Sequence, residues 1–190
     1  MRTFVACLLF SALTLCGQPA QVILLRHAEK PGDPAAVHLS PRGKERAQAL
    51  VALLGKRSKL TTNAPVAALY ATRVTGHGHS LRTGETLAPL ARELGLPVDT
   101  AFDSEDYQSL AASVLKNSAY HGRTVIICWT HHEIAGLAGA LGVKPKPASW
   151  KDSTFDRLWL IKPDSSGAQL QDLPQHLLKG DSRRGGGPGD

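Results

Sequence analysis

Hydrophobic positions along the chain fall into two alternating patterns. Short unbroken apolar runs occur at Gln21 to Leu25 (QVILL), Val66 to Ala71 (VAALYA) and Thr124 to Trp129 (TVIICW). Each has the length and β-branched content of a strand buried on both faces. Between them lie segments of helical period. In HLSPRGKERAQALVALLGK, Ser40 is placed to cap a helix and Pro41 to open it. Ala47, Leu50, Val51 and Leu54 then share one face, and Gly55 stops the pattern. RTGETLAPLARELG repeats the theme with Leu87, Leu90, Ala91 and Leu94 before Gly95, with Pro89 expected near the first turn or at a kink. DYQSLAASVLKN and EIAGLAGALG read as two further helices, the second stopped by Gly142. STFDRLWLIKP, with Phe155, Leu158 and Leu160 apolar, reads as a last strand on a sheet edge.

Strands alternating with amphipathic helices predict an α/β fold: three layers, a mostly parallel sheet and helices on both faces. The expected domain runs over residues 21–165. Residues 166–190 form a C-terminal segment ending in the Gly-rich, polar KGDSRRGGGPGD, which should be disordered. There is no internal repeat, and the segments between elements are too short to hold an inserted cap domain.

The first twenty residues differ from the rest. Arg2 precedes an apolar run from Phe4 to Leu15, followed by small and turn-forming residues. That three-part shape reads as a secretory signal, too short to span a bilayer, and implies an exported, periplasmic or secreted protein. Cys16 as a lipidated first residue is disfavoured by the large Leu15 before it. With Cys7 and Cys16 in or beside the leader, Cys128 is the one thiol of the mature chain, so no internal disulfide is expected. Its place in VIICW marks it as a core residue.

The 190 residues are 42% hydrophobic and 20% charged, ordinary for a folded domain. A net charge of +6 is first of all a solubilising surface, but it makes an anionic ligand worth seeking. Aromatics are 5% and do not interleave with basic runs, which argues against a nucleic-acid binder.

In a parallel sheet, the C-terminal strand ends share one edge, where ligands bind. The first strand runs directly into Arg26, His27 and Lys30; the second leads to Arg82 at a helix start; the third leads to His131 and His132. A buried cluster of like charge is costly without an anion, and two planar arginine forks suit a phosphoryl group. Arg73 rivals Arg82, and His132 rivals His131, for a place in this set. His77 and His79 in GHGHS, with His131 and His132, offer a metal reading, though a flexible loop over the pocket is the simpler one.

These blocks resemble the histidine phosphatase superfamily, whose fold is phosphoglycerate-mutase-like. Arg26–His27 stands at the end of the first strand, with Ala28 where the family usually has glycine. LSPRGKERAQAL is similar to its first helix start, RTGETLAPLA to its second block, and VIICWTHHEI to its last. The likeness spans roughly residues 21–143. It implies a metal-independent, cofactor-free phosphatase in which His27 attacks phosphorus and carries a phosphohistidine. Arg26 and Arg82 would bind the phosphoryl oxygens, His131 would donate a further hydrogen bond, and Lys30 either touches the phosphate or is solvated. The leaving-group acid is sought among Asp103, Glu105 and Asp106, with Glu29 and Glu133 flanking the histidines; Glu105 is favoured. Expected substrates are phosphorylated small molecules or phosphoproteins, including phosphohistidine. A non-catalytic phospho-ligand binder and a His-cluster metal-binding protein are the alternatives.

Overall fold

The computed structural model describes residues 17–75 and 80–182. The N-terminal segment read as a leader, with Cys7 and Cys16, the GHGHS histidines His77 and His79, and the Gly-rich stretch from residue 183 onward lie outside the described residues. Six strands form one sheet: β1 (Gln21–Arg26), β2 (Val66–Ala71), β3 (Val98–Asp99), β4 (Thr124–Trp129), β5 (Arg157–Asp164) and β6 (Gly167–Pro174). Four α-helices join them: α1 (Pro41–Leu54), α2 (Arg82–Leu94), α3 (Tyr107–Lys116) and α4 (Ile134–Ala140). The strand order is β3-β2-β4-β1-β5-β6. β3, β2, β4 and β1 run parallel; β5 and β6 are antiparallel additions.

Strand period fixes the two sides of the core. On β1, Val22 and Leu24 face one cluster with Val125, Ile127, Leu110 and Leu137, so α3 and α4 cover that side. Ile23 and Leu25 face the other, with Ile126, Cys128, Leu50, Leu54, Leu87 and Leu90, so α1 and α2 cover the opposite side. Of the three runs read as strands buried on both faces, β1 and β4 are buried at every residue, whereas β2 is half-buried at Ala67 and Ala68. Cys128 lies fully inside, and burial pushes its thiol up, away from the reactive thiolate.

The helix signals act as written. Ser40 Oγ accepts from Gly43 N at 3.0 Å with Pro41 at the helix start. Gly95 closes α2 with φ 70°, a left-handed conformation that glycine adopts without strain. Pro89 sits inside α2, which continues through it.

Three features differ from the sequence reading. β5 is not at the edge: it lies between β1 and β6, and its first five residues are buried. The edge is β6, whose mixed sequence gives the weak alternation of an outer strand. The sheet thus continues past residue 165 into the segment read as a C-terminal extension. β3 is only two residues long, too short to leave a periodic signal.

Candidate active site

Because β1, β2 and β4 are parallel and in register, Arg26 pairs with Trp129 and Ala71 with Cys128. The loops after all three strands therefore open at one edge. Two helices lock the loop after β1 there. Ala28 N donates to Thr86 Oγ1 of α2 at 2.9 Å, and Thr86 Oγ1 donates to Arg82 O at 2.7 Å. From α1, Ser40 N donates to Glu29 O at 2.9 Å, and Gly43 packs so closely on Glu29 that a Cβ there would overlap its carbonyl oxygen.

His27 is 5% exposed, and its Nδ1 lies 2.7 Å from Ala28 O. A carbonyl only accepts, so Nδ1 carries the proton and Nε2 keeps its lone pair. Burial, reinforced by Arg26, Arg82 and His131, holds the imidazole down to about 3. It is a neutral, oriented nitrogen base. Phe155 lies beside it at 6.0 Å between ring centroids and stacks under the Arg26 guanidinium at 4.1 Å.

Nitrogen donors from two segments, the end of β1 with its following loop and the loop after β4, converge on one oxygen. Arg26 Nη2 and His131 Nε2 each lie 3.1 Å from Asp152 Oδ1; Lys30 Nζ lies 3.3 Å from it and 3.2 Å from Oδ2. Arg26 is 1% exposed, and its Nη1 donates to the carbonyls of Asp152 at 2.6 Å, Thr154 at 3.1 Å and Lys151 at 3.3 Å. The neighbouring Lys30 and Arg26 hold the Asp152 carboxyl below its ordinary range. Burial, with Arg26 and His132 nearby, lowers His131 to about 4.

Arg82, at the start of α2, donates Nη1 to Ala36 O at 2.7 Å. It does not reach Asp152, but its charge is felt at His27 and Arg26. The Nε atoms of Arg26 and Arg82 are buried without a hydrogen-bond partner. Unsatisfied buried cationic donors are what an incoming oxyanion would relieve. Arg73 turns elsewhere, to Ala101 O and to Asp103 at 3.5 Å. His132 is exposed and stacks on His131 at 3.8 Å. Among the described residues no three His, Cys, Asp or Glu side chains are grouped to hold a metal ion.

Of the carboxylates weighed as acid, Glu29 is committed to Arg42 at 3.2 Å and Arg46 at 2.8 Å. Glu105 is exposed in the turn before α3. Trp129 Nε1 donates to Ser104 O at 3.0 Å, which ties that turn to the end of β4 that delivers His131.

Sequence reasoning did not find Asp152, Thr86 or Gly43's role. Nothing marks Asp152 in the polar stretch SWKDSTFD. The signal available was indirect: an all-cationic set at one edge calls for an anion, from the chain or from a ligand.

No protein-family model and no curated protein matches the sequence. Solved structures do match in fold. A mycobacterial glucosyl-3-phosphoglycerate phosphatase in complex with VO3 is 16% identical, with TM-score 0.54, covering 80% of this chain and 97% of that one. The alpha-ribazole phosphatase of Shigella flexneri is 14% identical (TM-score 0.51; 81% and 96%). The phosphoglycerate mutase of Bacillus anthracis is 11% identical (TM-score 0.51; 83% and 94%). This chain shares the phosphoglycerate-mutase-like α/β fold of these structures.

Proposed function

We propose that this protein is a metal-independent phosphatase that hydrolyses phosphomonoesters, or phosphohistidine, through a phosphohistidine on His27. The observation that carries the reading is the meeting of Arg26, Lys30 and His131 on a single carboxylate oxygen beside a buried histidine with a free Nε2. That is an anion cradle with a nucleophile at its wall. The fold neighbours include two phosphatases, which supports the class of reaction.

In the first step the His27 Nε2 lone pair attacks phosphorus in line while the P–O bond to the leaving group breaks. The charge gathering on the equatorial oxygens falls on Arg26, Arg82, Lys30 and His131. Glu105 supplies the proton to the leaving oxygen. In the second step water attacks the phosphohistidine, its proton returns to Glu105, and inorganic phosphate departs with His27 neutral again. The leader-like N-terminal segment supports export of the mature chain.

Turnover of a phosphomonoester panel in excess chelator tests the reading. Hydrolysis should survive chelation and fall at least about 10³-fold in His27→Ala. Bound phosphate without turnover on any substrate would instead favour a phospho-ligand binder.

A further inference from the structure

Asp152 belongs to no element of the cradle and is the residue its cations hold. Its side chain is 64% exposed, while that of Arg26 is fully buried. The asymmetry matters. Withdrawing an exposed carboxylate into water costs little, whereas leaving a buried guanidinium without an anion costs far more. The cradle therefore keeps Asp152 in place, and an arriving anion of higher charge can take that place.

The backbone is arranged for such an exchange. Arg26 Nη1 is held by the carbonyls of Lys151, Asp152 and Thr154, so the guanidinium stays fixed when the Asp152 side chain rotates away. Its Nη2 and the Lys30 and His131 nitrogens are then released together, because all three meet on Oδ1. A carboxylate offers two oxygens and one negative charge; a phosphoryl dianion offers three oxygens and two charges. The same donors gain more from the second than from the first.

Resting on the phosphatase reading of this site, we propose that Asp152 is an exchangeable internal anion. It occupies the phosphate position in the free protein and competes there with substrate and with product phosphate. The competition sets specificity, because a single carboxylate or other weak anion cannot displace it while a phosphoryl dianion can. It also assists turnover, since the returning carboxylate lowers the hold of Arg26, Lys30 and His131 on inorganic phosphate.

Calorimetric titration of inorganic phosphate into the full chain tests the exchange without relying on catalysis. Asp152→Asn, and Asp152→Ser as a second variant against misfolding, should each tighten phosphate binding at least tenfold. In steady state, inhibition by inorganic phosphate should tighten in parallel. Asp33→Asn removes the same charge from an exposed position on the loop between β1 and α1, and should change phosphate affinity less than twofold. Unchanged or weaker binding in both Asp152 variants would overturn the proposal, as would an equal gain from Asp33→Asn. Tighter phosphate binding in a protein that hydrolyses no monoester would sink the phosphatase reading and leave the exchange standing. Brisk hydrolysis with unaltered phosphate affinity would do the reverse.

Discussion

At the scale of single residues, the site depends on a histidine kept neutral among cations. His27 is lowered to about 3 by burial first and by Arg26, Arg82 and His131 next. A depressed histidine means that the unfolded chain, with an ordinary pKa near 6.5, binds a proton the folded chain refuses. His27 therefore adds stability above about pH 6.5, and that stability is lost as pH falls toward about 3. An NMR titration of the ring should find His27 neutral down to pH 5, protonated on Nδ1 alone; a midpoint near 6.5 would contradict the burial argument. The residues that line the cradle were legible in the sequence as a set, because strand ends of a parallel sheet must meet. Asp152 was not, because a carboxylate in an irregular loop carries no periodicity and no motif.

At the scale of elements, α1 and α2 do more than cover the sheet. Their N-terminal turns clamp the loop after β1 through Ser40, Gly43, Arg82 and Thr86. Gly43 is the sharpest case, since an added methyl meets the fixed backbone of Glu29, two residues from His27. Backbone cannot rotate aside as a side chain can. Gly43→Ala should therefore cut kcat/KM by about 100-fold, the scale of loss when a reacting group is displaced by about 1 Å, with the overall fold retained by circular dichroism. Activity within twofold of wild type would show that the loop tolerates the shift. Helix positions and caps were readable because apolar spacing, Ser40–Pro41 and Gly95 are local signals. The two-residue β3 was not, because it is too short to show a period; the inner place of β5 was not, because its hairpin partner β6 is a half-exposed strand of mixed sequence with only weak alternation.

At the scale of the whole molecule, the segment after β5 is packed into the fold. β6 completes the sheet, and beyond it Asp181 reaches back to Arg46 at 2.8 Å, where Arg46 also grips Glu29 at 2.8 Å. Burial alone would raise the Asp181 carboxyl, but hydrogen bonds from Arg46 and from the N–H groups of Leu178 and Leu177 bring it down to about 2. The segment after β6 is thereby linked, through the ion pairs of Arg46 with Asp181 and Glu29, to the loop after His27. This link leaves no signal in the sequence, because Asp181 stands in a polar stretch without apolar period or motif.

The fold, the cradle and the neutral nitrogen together make one central claim, that His27 takes up the phosphoryl group. Rapid acid- and base-quenched mass spectrometry during turnover of an activated phosphomonoester tests it most directly. A base-stable, acid-labile phosphoryl group should appear on His27 and be absent from His27→Ala. Hydrolysis proceeding with no such adduct, or with His27→Ala still active, would contradict it.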